Sequence, residues 1–290
     1  VHPTRWLAST LIPLAFAAWG LKKGSINKSG ALLGIITGFF LTLSSYVFLT
    51  CLITFFVTSS KATKYGSKEK AKIEQNFKEG GQRNWVQVLC NGGVPMLLSI
   101  LYLIDAGSGE RPVDFFQDYR ASWLSVALLG AFGCANGDTW ASELGTVLSS
   151  SNPRLITTWR QVPKGVNGGV SFVGVLASLM GGAIVGLSFY LSIKYSVEES
   201  ALASAPVQWP AIPIAALAGL LGSIVDSLLG ATLQYSGVDK KTRTIVEHPG
   251  DGVQHVAGMR ILDNHSVNLL STIITAVILP RIANTVWPTY

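Results

Sequence analysis

Two carboxylates lie where carboxylates are costly. Asp138 and Glu143 fall within Gly133-Cys-Ala-Asn-Gly-Asp-Thr-Trp-Ala-Ser-Glu143, inside an apolar run from Trp123 to Leu148. A charged residue at membrane depth costs about 2.5–3.5 kcal/mol on insertion scales, so such groups usually line a cavity or a site. At helical spacing Cys134, Asp138, Ala141, Ser142 and Gly145 share one side, and all but the acid are small or weakly polar. A small-residue stripe admits a second helix at close range. Asp138 is therefore expected to face protein. A similar seam, Gly219, Gly222, Ser223, Asp226 and Gly230, carries a third acid in the segment Ala215–Gln234.

Two carboxylates from neighbouring helices, supported by Asn136, Thr139 and Ser142, are hard oxygen ligands of the kind Mg²⁺ takes, with waters and substrate phosphates completing the shell. Glu143 lies about 140° around the helix from Asp138, placing it as a third metal ligand or as the partner of an arginine. Basic residues stand near the same helix ends: Lys61 and Lys64, Arg83 beside Asn84, Arg154, Arg160 and Lys164. Gly165-Val-Asn-Gly-Gly169 precedes a long apolar run, and the free N–H groups and dipole of a helix start favour phosphate. The chemistry these types permit is phosphoryl transfer, which needs positioning and neutralisation of charge more than covalent catalysis.

The elements that must hold these residues are membrane helices. Apolar residues make up 49% of the 290 and charged residues 13%, a balance expected of an integral membrane protein. Eight apolar stretches follow one another: Trp6–Leu21, Ala31–Leu43, Tyr46–Thr58, Trp85–Ile104, Trp123–Leu148, Val170–Ile193, Ala211–Gln234 and Val267–Ile282. The second and third are short for full spans, and a tight pair broken near Ser44-Ser45 is expected. The fold class is all-α, a polytopic bundle of about seven or eight transmembrane helices forming a single domain over 1–290.

With eight crossings, the loops 22–29, 59–84, 149–166 and 235–266 share one side and carry 17 of the 22 lysines and arginines. The positive-inside rule makes that side cytosolic. It also gathers Asn91, Asn167, Asp263 and Asn264 with the basic residues and both aspartates at one membrane face. On this topology the sequons at Asn27 and Asn264 are cytosolic. The run Lys68–Lys72 is read as a determinant of topology, and Asp263 with Asn264 and Asn268 as the cap of the last helix. His248, His255 and His265 lack metal-ligand spacing.

Asn91-Gly-Gly-Val94 and Asn167-Gly-Gly-Val170 each precede a helix out, a helix back and an aspartate, which suggests an internal duplication over 85–148 and 162–234 with both acids where the repeats meet. Cys51, Cys90 and Cys134 lie in apolar runs and imply no disulfide framework. The net charge of +6 resides in loops between spans, which points to anionic lipid or phosphate and away from nucleic acid. The chain opens at Val1, so residues upstream are expected. P-loop and Gly-x-Ser-x-Gly signatures are absent, as are those of membrane prenyltransferases and CDP-alcohol phosphotransferases.

Several motifs together resemble the transmembrane protein 19 family: Phe55-Phe-Val-Thr-Ser-Ser-Lys-Ala-Thr-Lys64, Gly81-Gln-Arg-Asn84, Asn91-Gly-Gly93, Gly137-Asp-Thr-Trp-Ala-Ser-Glu143, Pro153-Arg-Leu-Ile-Thr-Thr158, Gly165-Val-Asn-Gly-Gly-Val-Ser171 and Gly222-Ser-Ile-Val-Asp-Ser-Leu-Leu-Gly-Ala-Thr-Leu-Gln234. The likeness spans nearly the whole chain. That family includes plant phytyl-phosphate kinases. The resemblance implies Mg²⁺-dependent transfer of the γ-phosphate of a nucleoside triphosphate, CTP being the expected donor, to an isoprenyl monophosphate such as phytyl, farnesyl or geranylgeranyl phosphate. The implied setting is an endomembrane, the endoplasmic reticulum foremost, with a homo-oligomer compatible. Asp138 and Asp226 would then hold the metal. Lys164, Arg83, Lys64 and Lys61 would neutralise phosphate charge together with Arg154. Asn84, Asn91, Asn136, Thr139, Ser142, Asn167 and Gly168 would position oxygens, and the isoprenyl tail would lie between helices, open to lipid. The rival expectation is a transporter of a phosphorylated or anionic small molecule, since repeats, glycine-broken helices and intramembrane acids also suit a carrier.

Overall fold

A computed structural model describes residues 1–70, 73 and 81–288. The elements in order are α1 (Pro3–Lys22), α2 (Lys28–Ser44), α3 (Tyr46–Tyr65), α4 (Ser67–Lys70), α5 (Trp85–Asp105), α6 (Tyr119–Leu148), β1 (Arg154–Leu155), β2 (Gly169–Val170), α7 (Phe172–Ser196), α8 (Glu199–Ala203), α9 (Ala211–Leu233), β3 (Ser236–Asp239), β4 (Ile245–Val246), β5 (Val253–Ala257) and α10 (Asn264–Val286). The eight apolar stretches correspond to eight long helices. Five of these, α3, α5, α7, α9 and α10, are long and apolar enough to cross a membrane on length and composition alone. The α2 helix is apolar but short, and α6 carries Asn136, Asp138 and Glu143 in its second half. The expected break is where the two serines stand: α2 ends at Ser44, and Ser45 accepts from the Val47 N–H to cap α3.

Helix order alternates between two ends of the bundle. At one end the Asn27 N–H donates to Arg83 O at 3.0 Å, Lys64 Nζ to Lys23 O at 2.7 Å, and the Ile245 N–H to Ile73 O at 2.9 Å. These bonds tie together three of the basic loops, and the fourth, 149–166, joins them through Arg160, which donates to Val256 O of 235–266. At the other end Arg5 pairs with Glu110 at 2.7 Å, Gln208 Nε2 donates to Val113 O at 2.9 Å, and the Trp287 indole donates to Val207 O at 3.1 Å.

The far half of the bundle is a packed apolar core in which Phe48, Tyr102, Phe132 and Phe189 are fully buried. The near half is held by glycines. A Cβ added at Gly137 would collide with Gly219 Cα, one at Gly145 would sit 2.8 Å from Gly174 Cα, and one at Gly222 would strike Cys134. The two small-residue seams therefore do what their spacing predicted, bringing α6, α7 and α9 to backbone contact.

The loops are not featureless. The segment 235–266 folds into an antiparallel sheet of order β4-β3-β5, and β1 pairs with β2 across 149–170. Leu155, Val162, Val166, Ala231, Ile245 and Ala257 form a second small core that fastens both loops to the end of α9. The Asn-Gly-Gly-Val copies differ in backbone. Asn91–Val94 lies within α5, two turns past its start, whereas Asn167–Val170 is a turn, with Gly168 at φ +78°, leading into β2 ahead of α7. The two tetrapeptides thus do not hold equivalent places in their segments.

Candidate functional site

The glycine contacts of α6, α7 and α9 set the geometry of the near end. Because the three backbones touch at Gly137, Gly182 and Gly219, the polar residues from there toward the near end of each helix converge without filling the space between them. The result is a cavity of about 540 Å³ roofed by the two loop structures. Its wall repeats a helical face on each element. On α6 it is Asp138, Ser142 and Gly145; on α7 Gly174, Val175 and Ser178; on α9 Leu220, Ser223 and Ser227, with Asp226 beside them.

Both aspartates line this cavity, within electrostatic reach of each other. Ser271 of α10 stands close to Asp226, its hydroxyl donating to Asn268 O at 3.1 Å. With the Asn268 amide turned so that its nitrogen faces acceptors, it donates to Asp226 Oδ2 at 3.1 Å and to Asn264 O at 3.2 Å. Glu143 accepts from Lys70 Nζ at 3.0 Å, a half-buried ion pair, and the charge of Lys70 reaches Asp138 as well. The arginine partner expected for Glu143 is thus a lysine. Thr139 and Ser142 spend their hydroxyl protons on Ala135 O and Thr139 O, which leaves oxygen lone pairs for a cation or a water.

Arg83 stands at the cavity wall with its guanidinium donating to Ser60 Oγ at 2.8 Å and Ser59 Oγ at 3.1 Å. Burial pulls its pKa below the usual arginine value, and the charge of Glu143 opposes that pull. Arginine remains a cation under such conditions. Lys164 lines the cavity and donates to Ser149 O. Asn84 caps α5 in a capping box with Gln87 and also borders the cavity, as do Asn91, Asn167 and Gly168. A Cβ on Gly168 would collide with Ala231 of α9, so only glycine lets this turn close the roof.

Four expected residues stand outside. Asn136 is fully buried, accepting from Thr58 Oγ1 at 2.9 Å and donating to Gly181 O at 2.7 Å. It locks α3, α6 and α7 together, a task as polar as ligand binding and indistinguishable from it in sequence. Lys61 and Lys64 are exposed on the outer face of α3, and exposed Arg154 donates to Trp159 O. Asp263 caps α10 as expected, accepting from the Ser266 N–H at 2.8 Å, while Asn264, His265 and Asn268 border the cavity. Of the run Lys68–Lys72, Lys72 and the Lys68 side chain lie outside the described residues. Lys70, read with that run as a topology determinant, is at the site. Ser171, Gly174, Val175 and Ser178 also line it; their spacing of three, four and seven is a helical face visible in the sequence.

Among the described residues no group of three or more His, Cys, Asp and Glu side chains is gathered as a closed metal site. The donor set instead fits a hard cation that keeps waters and shares a substrate's oxygens. The charges support this. The described wall carries four acids, Asp138, Glu143, Asp226 and Glu247, against three fixed cations, Lys70, Arg83 and Lys164.

Integral membrane protein DUF92, a family description, matches residues 11–276. Protein PGR of Arabidopsis thaliana is 40% identical over 274 residues, 94% of this chain and 94% of its own length. An uncharacterised membrane protein of Methanocaldococcus jannaschii is 28% identical over 280 residues, 94% of this chain and 92% of its own. An uncharacterised membrane protein of Synechocystis is 28% identical over 182 residues, 63% of this chain and 61% of its own. No solved structure matches the chain.

Proposed function

We propose, from the premise that the chain belongs to the DUF92 family of integral membrane proteins, that it is an isoprenyl-phosphate kinase working at the cytosolic face of an endomembrane. The acceptor is an isoprenyl monophosphate and the donor a nucleoside triphosphate, CTP foremost. The observation that carries the reading is the single cavity in which α6 and α9 present one aspartate each to a wall that also holds Lys70, Arg83 and Lys164.

The step is an in-line displacement. An oxygen of the acceptor monophosphate bonds to the γ-phosphorus, the bond from that phosphorus to the β–γ bridging oxygen breaks, and nucleoside diphosphate leaves with the electron pair. The acceptor is ionised at neutral pH, so no general base is needed and alignment carries the rate. A bound Mg²⁺ would offset charge on the donor phosphates. Asp138 and Asp226 are the residues that would hold it, with Thr139 and Ser142 oxygens nearby. Arg83, fixed by two serine hydroxyls, presents a rigid fork to phosphate. Lys164, Asn91 and Asn167 orient the remaining oxygens, and the roof of β-structure excludes water from the reacting centre.

The packing favours this reading over carriage. A carrier needs polar groups reachable from both faces, and beyond the cavity the bundle is filled by Phe48, Tyr102, Phe132 and Phe189. The test uses purified protein with Mg²⁺, γ-labelled nucleotide and a panel of isoprenyl monophosphates. Label appearing in an isoprenyl diphosphate supports the kinase. Absence of transfer from CTP, ATP, GTP and UTP to every acceptor overturns it.

A further inference from the structure

A second cavity, of about 80 Å³, lies between α1, α2, α3 and α5. Its walls are almost wholly apolar: Phe16 and Ala17 of α1, Gly34 of α2, Ile53 and Phe56 of α3, and Val88 of α5. These residues are half-buried rather than enclosed. Four polar residues complete the lining, Thr37, Arg83, Gln87 and Asn91, and the last three also line the polar cavity. The two spaces thus share one polar strip as a wall, formed by Arg83 and the first turns of α5. Arg83 marks the junction, with its guanidinium carbon 6.0 Å from the centre of the Phe56 ring and its N–H groups on Ser59 and Ser60.

We propose that this crevice holds the head-proximal part of the isoprenyl chain of the acceptor, with the acceptor's phosphate passing the Arg83 strip into the polar cavity. The inference rests on the kinase reading for the identity of the head group. An amphiphile needs an apolar slot continuous with a cationic, hydrogen-bonding pocket, and no single residue type supplies both. Here the join is built from shared residues. At about one water-sized group per 10–15 Å³, the crevice holds on the order of five to eight carbons, one isoprene unit or slightly more. The rest of the chain runs out between half-buried helix faces into the bilayer. Recognition is therefore of the first unit and the phosphate, and KM is expected to vary by less than about threefold from ten to twenty carbons.

Gly34 offers a position from which to fill the crevice. A Cβ at Gly34 would meet only Ile26 Cδ1, at 3.7 Å, so Gly34→Leu projects into the space at ordinary contact distance. Ile53→Trp fills it from the α3 wall and serves if the first variant does not fold. Leu32→Phe, on the outward side of α2 where Leu32 is 65% exposed, is the control.

The probe is farnesyl monophosphate bearing a diazirine on its first isoprene unit, photolysed with the protein in phosphatidylcholine nanodiscs and mapped by peptide mass spectrometry. The expected label falls on α2 or α3 between Ala31 and Phe56, is competed by unlabelled farnesyl monophosphate but not by added phosphatidylcholine, and drops at least fivefold in Gly34→Leu or Ile53→Trp while Leu32→Phe is unaffected. Label on α7, α9 or α10, label competed by phospholipid, or no label at all overturns the inference. The two proposals fail separately. Crevice labelling with no phosphate transfer leaves the tail site standing and the kinase refuted; transfer with labelling elsewhere does the reverse.

Discussion

At the scale of single residues, polar groups with the same sequence credentials divide by what they touch. Asn136 and Asp138 are two positions apart on α6, yet one bridges α3 and α7 and the other faces the cavity. Asn136→Ala leaves the Thr58 hydroxyl and the Gly181 carbonyl without their partner, at about 1–3 kcal/mol. It should lower the thermal midpoint while turnover per folded molecule is kept. Lys164→Gln should do the opposite, lowering transfer at least about tenfold with a nearly unchanged midpoint. Asp263 gives a pH signature. The Ser266 hydroxyl, and then the Ser266 N–H, hold its pKa below the usual carboxylate range. A depressed folded value means that the ionised cap stabilises α10 above the unfolded pKa and loses that contribution as pH falls through the folded value. Asp263→Ala should cost about 1 kcal/mol near neutrality and flatten the acid limb of a stability–pH curve. The aspartates were legible because burial of charge is rare. The bridging place of Asn136 and the cavity place of Lys70 are not legible, because a buried hydrogen bond and a loop ion pair leave no mark of period or composition.

At the scale of elements, sequence recorded helix existence faithfully and loop structure hardly at all. Eight apolar runs became eight helices because hydropathy and small-residue spacing are local quantities. The short strands of 236–257 were not anticipated, since two- to five-residue strands bound by a six-residue core carry no readable alternation. The close packing of α6, α7 and α9 gives a sharp expectation. A methyl group at Gly219 would collide with Ser178 O, so Gly219→Ala must separate α7 from α9. It should cost about 1–3 kcal/mol and impair transfer by widening the cavity, whereas Gly34→Ala should leave stability unchanged or slightly improved. Thermal unfolding in detergent distinguishes the two.

At the scale of the whole molecule, the alternation of ends brings four basic loops to one end, three of them around one cavity, and leaves the acid-rich loops at the other end. The native cysteines are all buried, so added ones report sidedness cleanly. In sealed vesicles with the cytosolic face outward, Ser151→Cys should react with a membrane-impermeant maleimide, and Ser200→Cys only after permeabilisation; Asn27 and Asn264 should carry no sugar. The central claim is that one aspartate from each of two helices serves one phosphoryl transfer. Its most direct test compares wild type, Asp138→Asn, Asp226→Asn and the double variant, matched for thermal midpoint, in γ-label transfer from CTP to an isoprenyl monophosphate with Mg²⁺ or with EDTA. Residues acting as a unit lose function together. The account predicts Mg²⁺-dependent transfer that falls at least about 100-fold in each single variant, with the double variant no worse than either. Full transfer by Asp138→Asn, or losses that multiply in the double variant, would contradict it.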